Sequence, residues 1–213
     1  MADKILAREG RVKVRRFKRA DVADRAAWPP YTDPLFTHLN MELTTFIERE
    51  KWLFARKTNS GRMYFAIEDE SARLIGEMSL RDVDAYAKTS RLGIHLASDK
   101  IGLGYGREAL AALLSHYFSN MSWNVLLLDV AAFNRRALRL YERFHFRHVG
   151  SFWRRIIVDD SIMADPAYAP IRHLLRRAST GIEALHYDMA LTRETYFEKL
   201  ALTKAAGSPG ELA

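Results

Sequence analysis

Three glycines at alternate positions, Gly102, Gly104 and Gly106, join an apolar run to a helical pattern. Arg91 to Leu96 has strand character, and Tyr105 to about Ser119 carries apolar residues at helical spacing. A strand that turns through glycine into a helix aims backbone N–H groups and the positive helix end at one point. That geometry holds an anion, commonly a phosphate. Two well-known phosphate loops do not fit. The Walker loop needs Lys and Ser/Thr after its last glycine, and here Arg107 and Glu108 follow Gly106. The dinucleotide pattern Gly-x-Gly-x-x-Gly needs glycine where Arg107 stands, although an acid does follow at Asp129. Taken alone, the loop has a competing reading as a glycine turn with no ligand.

The following residues shift the balance. Val125 to Val130 reads as a short buried strand. Asn134 to Phe144 reads as a helix with Ala137, Leu138, Tyr141 and Phe144 on one face, and Asn134 is a suitable N-cap. His145 to Gly150 leads into another strand. The series Leu96-x-Ser98-x-x-Ile101-Gly102-x-Gly104-x-Gly106, then Asn134, Ala137, Tyr141-Glu142 and Phe146, resembles the GNAT superfamily of acetyl-CoA-dependent N-acetyltransferases. The resemblance covers residues 11 to 192 and is most specific over 91 to 150. It departs at Ile101, where the family usually has Arg or Gln, and at His145, where it usually has Gly.

The N-terminal half fits the same order. Val12 to Lys18 alternates as a strand, and Ala20 to Ala27 begins a short helix that Trp28-Pro29-Pro30-Tyr31 breaks. Glu42 to about Lys57 reads as a second helix, with Leu43, Phe46, Ile47, Leu53 and Phe54 facing inward. Met63 to Ile67 and Arg73 to Leu80 read as strands about a polar turn, and Ile182 to Leu191 as the last strand. The resemblance implies an α+β, three-layer α/β/α GNAT fold. Its mixed, mostly antiparallel sheet would have about seven strands, the two central ones splayed. A single acetyltransferase domain over 11–192 is expected, with 193–213 a C-terminal helix and tail frayed from Ala205. The element order is similar to the Rim-type branch, which acetylates N-termini of ribosomal proteins.

A chain of 213 residues with 48% hydrophobic composition supports a stable core. It has no apolar run long enough for a membrane span and no secretory signal at Met1 to Gly10, so a cytoplasmic location with no membrane partner is expected. Cysteine is absent, which removes disulfides, thiolate metal sites and an acetyl-cysteine intermediate. The seven histidines show no metal-binding spacing, and no metal is expected. No Gly-x-Ser-x-Gly elbow is present either. Direct attack of an amine on the thioester of acetyl-CoA is therefore preferred.

The resemblance assigns roles. The pantetheine arm pairs with backbone near Ile94 to Leu96, and the Leu96 N–H is the oxyanion donor. The pyrophosphate lies on Ile101, Gly102, Leu103, Gly104, Tyr105, Gly106 and Arg107, with Asn134 and Arg136 as further coenzyme contacts. Tyr141 protonates the departing thiolate and also touches the coenzyme. A phenol of pKa about 10 can serve a thiolate of about 8.5. The position of the usual Glu base holds Arg91, which leaves Glu77 and His95 as candidate bases, against a reading in which both are satisfied polar residues.

The acceptor amine, a protein N-terminus or a small molecule, would meet two loops. One contains Trp28, Pro29, Pro30, Tyr31, Pro34, Phe36 and His38. The other runs from Asp159 to about Thr180 and includes a basic helix over 170–178. A lid, a homodimer arm and a nucleic-acid contact are alternative uses of the second. The net charge of +7 is attributed first to coenzyme steering by Lys100, Arg107, Arg135, Arg136 and Arg139. A dedicated nucleic-acid binder is disfavoured because no such motif is present. A non-catalytic acyl-CoA-binding protein is the alternative function.

Overall fold

The computed structural model describes residues 5–42, 45–58 and 61–205. In chain order the elements are β1 (Ile5–Glu9), β2 (Val12–Arg16), α1 (Asp21–Ala26), α2 (Phe46–Thr58), β3 (Met63–Glu68), β4 (Leu74–Asp84), β5 (Thr89–Leu96) and α3 (Tyr105–Ser115). There follow β6 (Val125–Ala131), α4 (Arg135–Arg143), β7 (Arg147–Arg155), β8 (Leu175–Ala178), β9 (Gly181–Thr192) and α5 (Arg193–Ala205). A π-helical turn, His116–Asn120, extends α3. No helix among the described residues is long and apolar enough to cross a membrane.

The chain gathers into two compact units. The first holds the described residues of 5–30, 41–126 and 192–205. Its strands β1 to β5 form an antiparallel meander in chain order. Alternation puts Val12, Val14, Phe65, Ile67, Met78 and Leu80 inside. Helix α3 packs on β1 and β2 and buries Ala109, Leu110, Leu113 and Leu114. Each such leucine contributes about 1.5–3 kcal/mol. Asp21 fixes the start of α1. It accepts from the Lys18 amide at 2.8 Å and takes both terminal nitrogens of buried Arg15 at 2.7 Å, while Arg15 Nε donates to Glu68 at 2.8 Å.

The second unit holds Tyr31–Asn40 and Leu127–Leu191. Strand β9 pairs antiparallel with β7 and with β8, and β6 lies beside it. A small core of Leu35, Ile162, Leu175, Ile182 and Ala184 joins the 31–40 loop to the segment after β7. The Tyr168 hydroxyl adds a bond to Asp33 at 3.3 Å.

Several expectations need correction. Strand β1 precedes the expected start of the fold, and β8 adds a second short strand. Helix α2 starts at Phe46; Phe46 and Phe54 are each 68% exposed and Ile47 is exposed too, while Leu53 is buried as expected. The apolar residues of α2 lie on two faces, and the one carrying Trp52, Leu53 and Arg56 turns inward, where Arg56 donates to Glu77 at 2.7 Å and the Trp52 ring lies 6.0 Å from that of Phe17. Leu43 and residues 206–213 lie outside the described residues. The basic helix expected over 170–178 is instead a 3-10 segment, Pro166–Leu174, followed by β8. Pro170 cannot donate to a helical ladder, and Arg176 gains a cross-strand carboxylate, Glu183, at 2.7 Å.

Candidate active site

The joint between β5 and α3 follows from its glycines. Gly102 has φ +81° and Gly104, the N-cap of α3, has φ +90°, a region side chains resist. A Cβ on Gly102 would meet nothing within 4 Å, so the loop leaves open space there. Gly106 already lies inside α3. The Arg107 amide, expected to cradle phosphate, donates to the Gly104 carbonyl at 3.0 Å. Among the described residues, the amides of Leu103, Gly104, Tyr105 and Gly106 make no backbone hydrogen bond, the usual state of a helix start. Ile101 offers no polar group, and Leu103 is exposed.

The end of β5 is set by its register. Ala97 N donates to Ile75 O at 2.9 Å, and Leu96 pairs with Gly76. In an antiparallel ladder the hydrogen-bonded pairs alternate, so the N–H groups of Leu96 and Ile94 point away from β4. These are the two positions expected to meet the pantetheine arm.

Glu77 and His95 face each other across β4 and β5. They share a buried cluster with Arg25, Arg56 and Trp28. Arg56 donates twice to Glu77, at 2.7 and 3.2 Å, and Arg25 Nε lies 3.5 Å from the same carboxylate. Arg25 also stacks 4.3 Å over Trp28 and lies 3.2 Å from His95 Nδ1, closer than Glu77 at 3.5 Å. Burial alone would raise the Glu77 pKa, but hydrogen bonds from His95 and Arg56 and the two arginine charges bring it to about 2. Burial lowers the His95 pKa, and Arg25 adds to this against the pull of Glu77. His95 Nδ1 thus lies within reach of both Arg25 and Glu77, and its tautomer decides which of the two it bonds. Glu77 is a weak base, and His95 Nδ1 is engaged by Arg25 and Glu77. Arg91 lies 3.7 Å from Asp82.

In the second unit, Asn134 caps α4, its side chain accepting from Ala137 N at 3.2 Å. Asn134→Ala should cost about 1 kcal/mol, read by urea denaturation; a loss of coenzyme affinity beyond that would mark a ligand contact as well. Helix α4 ends in a Schellman turn. Phe146 N donates to Tyr141 O and His145 N to Glu142 O, with His145 at φ +65°, which explains why glycine suits that position. Leu138 and Tyr141 are buried, and Arg135, Arg136, Arg139 and Arg143 form an exposed basic face with no ion pair among the described residues. Tyr141 is 7% exposed, with its ring 5.8 Å from that of Phe146. Among the described residues no group hydrogen-bonds its hydroxyl, yet the oxygen is not sealed from solvent. Burial and then the Asp129 charge push its pKa above the usual phenol range. Tyr141 is thus a protonated phenol with an open donor. Asp129 itself pairs with Arg154.

A cleft of about 360 Å³ lies within the second unit, lined by Pro34, Thr37, Arg155 to Asp159, Gly181 and Ile182. Both loops expected to meet the acceptor contribute to it. Sequence reading missed Arg11, Glu108, Arg25 and Arg56. Only Gly10 beside Arg11, marking a tight turn, hinted at any of them. No group of three or more metal-ligating side chains occurs among the described residues.

A glycine joint between a strand and a helix N-terminus in an α+β fold has the geometry of an anion-binding site. The sequence profile of the Acetyltransferase (GNAT) domain matches residues 11–147, and the chain belongs to that family. It is 28% identical over 86 residues to a spermidine N(1)-acetyltransferase of Vibrio cholerae, a match covering 40% of this chain and 50% of the relative's length. The chain thus spans about half of that curated relative. A crystal structure of spermidine N-acetyltransferase from Vibrio cholerae in complex with CoA and spermine aligns with TM-score 0.67 and 18% identity, over 88% of this chain and 98% of the other. A spermidine/spermine N-acetyltransferase from the same organism, in complex with manganese ions, aligns with TM-score 0.65 and 17% identity, over 89% and 96%. At such identities the likeness is one of fold.

Proposed function

We propose that this protein transfers the acetyl group of acetyl-CoA to the primary amine of a small molecule, by direct attack in a ternary complex. The joint of β5, glycine loop and α3, with amides left over at the helix start, is the observation that carries the reading. The diphosphate lies on the amides of Leu103 to Gly106, and the basic face of α4 attracts the polyanion. The Leu96 N–H stabilises the oxyanion as the amine nitrogen bonds to the thioester carbon. The C–S bond breaks, and the Tyr141 hydroxyl protonates the leaving thiolate. Asn134 holds the start of α4, and through it Tyr141. Because Glu77 is weakly basic and His95 Nδ1 is occupied, the amine enters as its free base, and the proton it sheds on forming the amide passes to water, from which Tyr141 regains the proton it gave to the thiolate. The cleft between the 31–40 loop and the start of β9 receives the acceptor, with Asp159 as a carboxylate for an ammonium. The named relatives act on spermidine or spermine, which favours a small amine over a ribosomal-protein N-terminus of the Rim type.

Calorimetric titration with CoA and NADH, followed by free-thiol release with spermidine, spermine, a monoamine and peptides with free N-termini, tests this. Saturable CoA binding without NADH binding is expected, with release fastest for a small amine. Release with peptides alone would move the assignment to N-terminal acetylation. Absence of CoA binding would remove the enzyme reading altogether.

A further inference from the structure

The tight turn between β1 and β2 consists of Gly10 and Arg11, and it reaches the coenzyme loop from outside the motif. The Arg11 amide donates to Glu108 Oε2 at 2.7 Å, and its Nε and Nη2 donate to Glu108 Oε1 at 3.0 and 2.6 Å. Nη2 also donates to the Leu103 carbonyl at 2.8 Å. The guanidinium lies 4.3 Å over the Tyr105 ring. Both glycines beside this contact adopt positive φ, +49° at Gly10 and +90° at Gly104. A Cβ on Gly10 would stand 2.7 Å from Glu108 Oε2, and one on Gly104 would stand 3.1 Å from Arg11 Nη2.

Two consequences follow for the loop. In a trans peptide the carbonyl and the next N–H point in opposite directions. Holding the Leu103 carbonyl toward Arg11 therefore turns the Gly104 N–H to the other side. Glu108 is 6% exposed in the first turn of α3, where its charge would oppose a phosphate bound at the helix start; Arg11 cancels it. We propose that Arg11 is a positioning residue for coenzyme binding, orienting the Gly104 amide toward the diphosphate and neutralising Glu108. This rests on the coenzyme reading given above. It also accounts for how a loop with Ile101 in place of a polar side chain keeps its anion site.

The test is calorimetric titration of CoA into the wild-type protein, Arg11→Ala, Arg11→Lys, Glu108→Gln and the double variant Arg11→Ala/Glu108→Gln, with thermal unfolding of each. Wild type should bind saturably, and Arg11→Ala should bind about tenfold more weakly or worse. The double variant should regain much of that loss, since no unpaired carboxylate faces the anion. Arg11→Lys keeps the charge but lacks the fork that spans Glu108 and Leu103, so it should fall between; it carries the test should Arg11→Ala not fold. In steady state the KM for acetyl-CoA should rise with kcat and the KM for the amine unchanged, a split that a general loss of stability would not produce. Wild-type CoA binding with equal affinity in the Arg11 variants would overturn the proposal, as would no recovery in the double variant. Failure of wild type to bind CoA would instead overturn the coenzyme reading beneath it.

Discussion

Replacing Tyr141 by Phe should lower turnover by about 10²- to 10⁴-fold, the range over which a positioned general acid acts. Acetyl-CoA binding and folding should remain close to wild type. The fold is spared because the lost hydroxyl has no hydrogen-bond partner among the described residues, while the ring that packs at 5.8 Å from Phe146 is kept. The rate falls because the thiolate must then leave without a proton donor. An ordinary phenol is already protonated at neutral pH; burial and the Asp129 charge raise the Tyr141 pKa further, which keeps the donor loaded but makes its proton harder to give up. Thiol release under saturating coenzyme and acceptor, with CoA titration alongside, reads the two effects separately. A Tyr141→Phe variant with undiminished turnover would reduce Tyr141 to a packing residue. A parallel loss of CoA affinity would make it a coenzyme contact instead.

Glu77→Gln should destabilise the protein by about 3–5 kcal/mol, the cost of leaving a buried ion cluster without its counter-charge. Glu77 stands between two guanidiniums, Arg25 with 7% and Arg56 with 20% side-chain exposure. Removing its charge leaves both cations facing each other in a site with little water. The wild-type protein should also carry the signature of this group in its pH dependence. The carboxylate has a pKa of about 2 in the fold against an ordinary 4.5, so the unfolded chain takes up a proton first as pH falls. Its contribution is complete above about pH 4.5 and is lost as pH drops from there toward 2. Urea denaturation across that window should show a steeper loss for wild type than for Glu77→Gln. Parallel slopes would mean that Glu77 is not held as a low-pKa carboxylate. The same cluster argues against Glu77 as proton acceptor in catalysis, since a carboxylate so stabilised gains little by taking a proton.

Much of this was legible before any coordinates. The alternate glycines announced a strand-to-helix joint, and both Gly102 and Gly104 adopt positive φ as that joint requires. Asn134 was readable as an N-cap because it precedes a helical apolar face, and it does cap α4. The glycine-to-histidine departure at His145 falls on a left-handed helix end. In α2 the same kind of reasoning failed. Phe46, Ile47 and Phe54 look like core residues in the chain, but the face turned inward is the one whose Arg56 meets Glu77 and whose Trp52 meets Phe17. In the segment after β7, helical spacing was overridden when β8 found a partner in β9.

The sequence by itself determined the glycine loop, the Asn134 cap of α4 and the absence of cysteine chemistry, because these depend on residue identity and on neighbours along the chain. The tertiary structure alone decided which charges meet. Arg11 and Glu108 are 97 residues apart in sequence, and Arg25 and His95 are 70 apart. No periodicity records such pairs, since a guanidinium accepts any carboxylate the fold brings within reach. Burial then sets the consequence: the same Glu77 side chain that reads as a candidate base in the chain becomes a stabilised anion once two arginines are folded over it.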